Sequence, residues 1–266
     1  MLIKINGIDL DYRDQGTGIP LVFLHAFPLN QQMWEDQLDT LQNHCRTISI
    51  DYRGFGRSGG VHGPVSVDQL ATDIHELLTA IGITRIVLVG LSMGGYVSLA
   101  FYRQYPETLR AMVLADTRAN EDKPEAKERR HKFAEKVERE GVSSITEEMV
   151  SALLGKTSLE RRPSVVQRVR TMIESNSHAG IAAAQRAMAA RRDSTDLLPE
   201  MDLPVLVISG AEDNLTPVAE ADSMRQAIKG ARLKVIEEAG HLSNLERPDE
   251  FNGALLEFIE SLKREE

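Results

Sequence analysis

The sequence predicts an α/β protein: a mostly parallel sheet flanked by helices and interrupted by a helical insertion. Short apolar runs rich in β-branched residues, such as 86–89 (IVLV) and 205–208 (VLVI), read as strands buried on both faces. Helical stretches alternate with such runs up to about residue 117, and alternation resumes at Pro204. Between about 118 and 200 no convincing strand occurs. Residues 1–117 and 201–266 are therefore assigned to a core, and 118–200 to a cap inserted after its sixth strand.

Each element has a local reason. Residues 1–7 alternate like a strand and then turn at Asn6-Gly7. Residues 21–24 (LVFL) form a buried strand, and Cys45 stands at the start of the next, where a structural thiol is expected. Ser66-Val67-Asp68-Gln69 is a capping-box start for a helix through Ile81, which Gly82 ends. After strand 86–89 comes a helix covering 95–102, then strand 112–115. The insertion opens with a charged helix in which Glu125/Arg129, Glu128/Lys132 and Glu135/Arg139 are spaced i,i+4, the pattern of a solvated face. Its breaks are expected near Gly141, Gly155 and Gly180. Pro248 opens the last helix at a position where its missing N–H costs nothing.

Composition narrows the function. The chain has 266 residues, is 42% hydrophobic and carries a net charge of −9, which disfavours nucleic acid as a partner. One cysteine excludes an internal disulfide framework. No leader pattern and no run of membrane-spanning length occur, so a cytoplasmic enzyme that contacts no membrane is expected. No His, Cys or carboxylate cluster has metal-ligand spacing, and no cofactor is expected. Residues 54–59 do match G-x-G-x-x-G after a strand, with Asp73 about twenty residues on. A dinucleotide site needs a helix to open at that turn; here Gly60, Gly63 and Pro64 intervene.

The chemistry centres on Gly90-Leu91-Ser92-Met93-Gly94, a G-x-S-x-G between strand and helix. A sharp turn there presents the Ser92 hydroxyl, and a Cβ at either flanking glycine would crowd the crossing. A hydroxyl is a poor nucleophile at neutral pH and needs a base and a group to orient it. His241, in the loop after strand 233–236, is the expected base; His131 lies on a charged helix and His178 at a helix start. Asp213, Asp116 and Glu212 each follow a buried strand and each qualify as the orienting acid. Two N–H groups must meet a developing oxyanion. Met93 follows the nucleophile, and Phe27 lies in the loop after strand 21–24, where the small Ala26 permits close approach. His25 reads as a structural histidine bonding that loop. Phe27, Leu29, Trp34 and Met93 are expected in the pocket wall. Arg186, Arg191 and Arg192 are expected as surface charges, with an acidic substrate as their other reading.

These stretches together carry a resemblance. His25-Ala26-Phe27-Pro28, residues 51–58 (DYRGFGRS), Gly90 to Gly95, residues 210–217 (GAEDNLTP) and Ala239-Gly240-His241 occur in the order found in the α/β-hydrolase superfamily. Residues 114–119 (LADTRA) are similar to those of 3-oxoadipate enol-lactonase-like enzymes and small bacterial carboxylesterases. The resemblance implies an eight-stranded sheet, Asp213 as the favoured acid, a cis Phe27–Pro28 bond and a small-molecule ester or lactone as substrate. Ala26 departs from the usual glycine. Haloalkane dehalogenases and epoxide hydrolases of this fold use aspartate at the elbow, so Ser92 argues against both. Acyl transfer by a serine hydrolase is expected. Perhydrolysis, carbon–carbon hydrolysis and a ligand-binding receptor with negligible turnover are the alternatives.

Overall fold

The computed structural model describes residues 1–61 and 63–264. Eight strands are present: β1 (Leu2–Ile5), β2 (Ile8–Gln15), β3 (Pro20–Leu24), β4 (Arg46–Ile50), β5 (Ile86–Leu91), β6 (Leu109–Ala115), β7 (Val205–Gly210) and β8 (Arg232–Ile236). They form one sheet in the order β1-β2-β4-β3-β5-β6-β7-β8. The β1–β2 and β2–β4 pairs are antiparallel and all others parallel. Asn6 and Gly7, both at positive φ (46° and 79°), turn the first hairpin. Every residue of β5 and β7 is buried, whereas β8, an edge strand, alternates.

Strand order reverses between β3 and β5, because β4 lies on one side of β3 and the chain then continues outward from β5. Loops diverge at such a switch point and leave a crevice at the carboxyl ends of the strands. The loops carrying Phe27 and Ser92 leave from these two neighbouring strands.

Helices α1 (Glu35–Leu41), α2 (Val67–Ala80) and α3 (Met93–Gln104) belong to the first part of the core. The Ser66 hydroxyl caps α2 by accepting the Gln69 N–H at 3.0 Å, but the Gln69 amide turns to Asp73 (3.1 Å) instead of back to the cap. Half of the expected capping box therefore forms. Asp73 needs donors because it is buried: it also takes Arg53 at 2.7 and 2.8 Å and Asn6 at 2.9 Å. Asp73 is thus engaged within the fold, and the G-x-G-x-x-G stretch folds as a turn closed by a Gly54 N–H to Gly59 carbonyl bond of 2.9 Å, with no helix opening on it. Cys45 is buried, its thiol donates to the Leu41 carbonyl, and burial pushes its pKa up to about 11.

Between β6 and β7 the regular elements are all helical: α4 (Pro124–Glu140), α5 (Thr146–Leu153), α6 (Lys156–Arg161), α7 (Pro163–Glu174) and α8 (His178–Ala189), with short 3-10 turns. Gly141 ends α4 at φ 80°, and Gly155 precedes α6. The last break falls before Gly180, at residues 175–177, where the Ser177 hydroxyl accepts the Gly180 N–H at 3.0 Å. Gly180 lies in the first turn of α8, pressed against the Gly54 backbone. Of the three spaced charge pairs only Glu128–Lys132 forms, at 3.3 Å; Arg139 turns to its neighbour Glu140. Helices α9 (Val218–Ala227), α10 (Ser243–Glu246) and α11 (Pro248–Arg264) complete the core. Among the described residues no helix is long and apolar enough to cross a membrane.

Helix α3 packs against β5 and β3 directly after the turn at Ser92. A Cβ on Gly94 would overlap the Leu24 carbonyl, and one on Gly90 would overlap the Gly94 carbonyl and the Ser98 hydroxyl. Gly94→Ala is expected to cost roughly 1–3 kcal/mol, since backbone yields less readily than a side chain. Urea unfolding should show a lower midpoint at unchanged slope. An unchanged midpoint would mean that α3 and β3 separate without cost.

Candidate active site

Ser92 links β5 to α3 with φ 57° and ψ −112°, a conformation that L-residues rarely adopt. Strand β6 and the residues just after it hold it there: the Ser92 N–H donates to the Ala115 carbonyl (2.9 Å) and the Thr117 hydroxyl donates to the Ser92 carbonyl (2.8 Å). The side chain is thereby aimed at His241, whose Nε2 accepts the Ser92 hydroxyl at 2.7 Å.

His241 sits in the loop between β8 and α10. Its backbone N–H donates to the Leu153 carbonyl at 3.0 Å, so the end of α5 fixes the loop. Its Nδ1 donates to Asp213 Oδ2 at 2.7 Å. Asp213 lies after β7 in a side-chain-capped turn: Oδ1 accepts the Leu215 and Thr216 N–H groups at 2.8 and 3.0 Å, and Oδ2 the Thr216 hydroxyl at 2.6 Å. Burial works against its charge, yet the adjacent imidazole and the Thr216 bonds hold the carboxyl below the usual range. Burial likewise opposes charge on His241, but the Asp213 carboxylate outweighs it and the imidazole pKa is raised.

The other acids are placed differently. Asp116, at φ 44°, is buried and accepts the Gly210 N–H (2.8 Å) and the Ser243 hydroxyl. Burial and then the Asp213 charge push its pKa up to about 8. It clamps the end of β7 to the start of α10 and makes no hydrogen bond to His241. Glu212 points to Thr157, taking its N–H at 2.8 Å and its hydroxyl.

The loop after β3 contains a cis Phe27–Pro28 bond. Ala26 does not adopt positive φ, so the loop accepts its Cβ where glycine is usual. Its N–H donates to Met33 Sδ at 3.1 Å. His25 is buried, with Nδ1 donating to the Ala26 carbonyl (3.0 Å) and Nε2 accepting the Tyr52 N–H (3.3 Å). Burial lowers its pKa to about 4, so it holds the loop as a neutral ring. Among the described residues neither the Phe27 nor the Met93 N–H has an intramolecular acceptor.

A cavity of about 560 Å³ opens over Ser92 and His241. Phe27, Tyr96, Phe133, Met149, Leu153 and Met188 supply its apolar wall. Leu29 and Trp34 do not line it. Both are fully buried, and Trp34 packs between Phe23 (5.2 Å) and Phe251 (6.0 Å), holding β3 against α11. Their apolar character, close to Phe27 in sequence, reflects core and not pocket. The Met93 side chain is also fully buried and off the cavity. Arg191 is buried rather than a surface charge: it pairs with Asp122 at 2.8 Å and lies 4.1 Å over the Tyr96 ring. Arg186 pairs with Glu138 at 2.6 Å on the exterior, and Arg192 is exposed, 4.0 Å from Asp68. Sequence reading missed Thr216 and Glu246. The first was detectable from its spacing of three after Asp213, as in an Asx turn. Glu246, which accepts the Gly155 and Gly240 N–H groups at 2.9 and 2.8 Å, carries no comparable signal.

The chain matches the family described as alpha/beta hydrolase fold over residues 19–248, and it belongs to that family. A thermophilic esterase from Thermogutta terrifontis, solved with malate bound, is 40% identical with a TM-score of 0.96, covering 98% of this chain and 99% of that one. A 3-oxoadipate enol-lactonase of Acinetobacter baylyi is 31% identical over 235 residues, 88% of this chain and 86% of the relative. A non-heme chloroperoxidase of Kitasatospora aureofaciens is 30% identical over 272 residues, 96% of this chain and 97% of the relative.

The electrostatics can be tested at the imidazole. By nitrogen NMR, His241 is expected to titrate above its ordinary 6.5. Asp213→Asn should lower the midpoint, because the main charge and hydrogen bond that oppose burial are then lost. Asp116→Asn should lower it less, since the Asp116 charge ranks behind Asp213 among the influences that raise the imidazole pKa. A larger shift from Asp116→Asn would transfer the orienting role to Asp116.

Proposed function

We propose that this chain is a serine hydrolase that cleaves a carboxylic ester or lactone through an acyl-enzyme. The observation that carries the reading is the continuous chain from Ser92 Oγ through His241 to Asp213, with 2.7 Å at each link. Beside it are two N–H groups without intramolecular acceptors, on Phe27 and Met93.

In this reading Ser92 Oγ attacks the carbonyl carbon while its proton passes to His241 Nε2. The carbonyl oxygen becomes an oxyanion held by the Phe27 and Met93 N–H groups. Its collapse breaks the bond to the leaving oxygen, which takes the proton from His241. In a lactone the leaving hydroxyl stays tethered to the acyl group. Water then attacks the acyl-enzyme, giving its proton to His241. The acid departs and the proton returns to Ser92. Asp213 keeps Nδ1 protonated and stabilises the imidazolium in both halves. Because the imidazole must be neutral to accept the proton, kcat/KM rises with pH through the raised His241 pKa.

A second reading, perhydrolysis, is favoured by the similarity to a non-heme chloroperoxidase. There hydrogen peroxide replaces water in the second half and releases a peracid from the same acyl-enzyme. The alternatives of carbon–carbon hydrolysis and a receptor without turnover share the fold and lack such an observation. A cytoplasmic location remains part of the proposal.

Short-chain p-nitrophenyl esters test the reading. Wild type should turn over steadily after an acylation burst. Ser92→Ala should lose roughly 10⁴- to 10⁶-fold in kcat, and Asp213→Asn roughly 10⁴-fold. Release that survives Ser92→Ala would remove the acyl-enzyme. Peracid formation with peroxide outpacing hydrolysis would shift the assignment to perhydrolysis.

A further inference from the structure

The loop that carries His241 is fastened to the helical insertion as well as to the sheet. From Leu153 to Arg162 the insertion meets both segments that orient the nucleophile. The Thr157 N–H and hydroxyl donate to Glu212, the residue before Asp213, with the N–H at 2.8 Å. Arg162 donates to the Glu238 carbonyl at 2.7 Å and to the Glu238 carboxylate at 3.1 Å, shortly before His241.

Glu246 lies between these contacts, buried, with donors closing on it from two sides. Its Oε1 accepts the Gly240 N–H at 2.8 Å and the Leu242 N–H at 3.3 Å, from the residues on either side of His241. Its Oε2 accepts the Gly155 N–H at 2.9 Å, and the Ser158 hydroxyl of α6 also bonds the carboxylate. All these partners are neutral, and burial holds the Glu246 pKa above its ordinary value. The carboxylate therefore joins two stretches of backbone and answers no cation.

Those two stretches touch. A Cβ on Gly240 would lie 2.2 Å from the Gly155 nitrogen, and one on Gly155 would lie 2.7 Å from the Gly240 nitrogen. The His241 N–H between them donates to the Leu153 carbonyl at 3.0 Å. The N–H groups of 240, 241 and 242 thus find their acceptors on Glu246 and Leu153, and none finds one in the sheet. With 2.7 Å on each side of the imidazole, a shift of this backbone would open the bond to Ser92 or the bond to Asp213.

We propose that Glu246 is a positioning residue for the general base: by bridging Gly240 and Leu242 to Gly155 it holds His241 in line between Ser92 and Asp213, with the head of α6 as its anchor. It does not line the cavity and acts only through the imidazole. This role rests on the hydrolase reading above. Both halves of that reaction use His241, so both slow together when the ring is displaced, and KM changes little.

Glu246→Gln discriminates best. It keeps the shape, but its amide nitrogen must face an N–H donor on one side or the other, so either Gly155 or the loop beside His241 loses its acceptor. With p-nitrophenyl butyrate it should lower kcat roughly 10- to 100-fold with KM within about twofold, because a misplacement of about 1 Å costs up to about 10²-fold. In a His241→Ala background the same change should cost nothing further, because the group it positions is gone. Leu262→Ala, a cavity near the end of α11, should lower the thermal midpoint yet leave kcat within about twofold. The proton between His241 Nδ1 and Asp213 gives a readout independent of turnover: its far-downfield NMR resonance should shift or broaden in Glu246→Gln and stay in place in Leu262→Ala. If Glu246→Gln does not fold, Ser158→Ala carries the same comparisons, with a drop of about threefold, as for one hydrogen bond. Unchanged kcat and resonance in the folded variant, or an equal loss with and without His241, overturns the proposal. If the wild type cleaves no ester, the hydrolase reading fails and the resonance decides alone: movement in Glu246→Gln upholds the positioning of His241, and no movement overturns it.

Discussion

The site depends on how closely α3 crosses the sheet. Two missing Cβ atoms, at Gly90 and Gly94, let the first turn of the helix lie on β5 and against the Leu24 carbonyl of β3. That closeness forces the link between strand and helix into the φ 57° conformation of Ser92, at a cost of order 1–3 kcal/mol. The turn persists because a fully buried strand precedes it and Ala115 and Thr117 bond its backbone. One constraint therefore sets three things together: an outward hydroxyl, the start of α3 beside it, and the Met93 N–H at that start.

The partners of Ser92 are held by bonds between loops more than by the loops themselves. Asp116 ties Gly210 to Ser243 and so fixes the approach of the segments bearing Asp213 and His241. Burial and the Asp213 charge push its pKa up to about 8, which favours the neutral form beside Asp213. Glu246, also buried and raised by burial, joins the His241 loop to Gly155 at the head of α6. Together with the bond from the His241 N–H to Leu153, this makes the helical insertion part of the support for the imidazole as well as its cover. Movement of α5 or α6 would be felt at His241.

Much of this was legible before the structure, for identifiable reasons. Parallel strands buried on both faces read as uninterrupted apolar runs, so β5, β6 and β7 were plain. Ser92, Asp213 and His241 each follow a strand end, where position along the chain already implies position in space. Pocket membership is not encoded that way. Leu29 and Trp34 are near Phe27 in sequence, but the chain turns inward after Pro28 and sends them into the core. Phe133, Met149 and Met188 reach the cavity from three helices whose packing angles no local pattern specifies. Position after a strand left the acid open among three residues, and only the resemblance favoured Asp213, because an aspartate after a strand caps turns as readily as it orients a histidine.

The charged run at the start of α4 shows the same limit and what lies beyond it. Arg129 and Arg130 are chemically equivalent in sequence. On a helix, consecutive residues point about 100° apart, so the two reach different partners although both line the cavity. Arg130 turns toward α8, where Asp122 and Gln185 engage it beside the buried Arg191. One carboxylate held by two guanidiniums leaves no anion to spare for the next residue. Arg129 lines the cavity and, among the described residues, has no ion-pair partner. A solvated face would place its charges in alternating pairs across the surface. Here Arg130 and Glu138 fasten α4 to α8, Lys132 and Lys136 pair with Glu128 and Glu148, and Arg129 is left facing the space above Ser92.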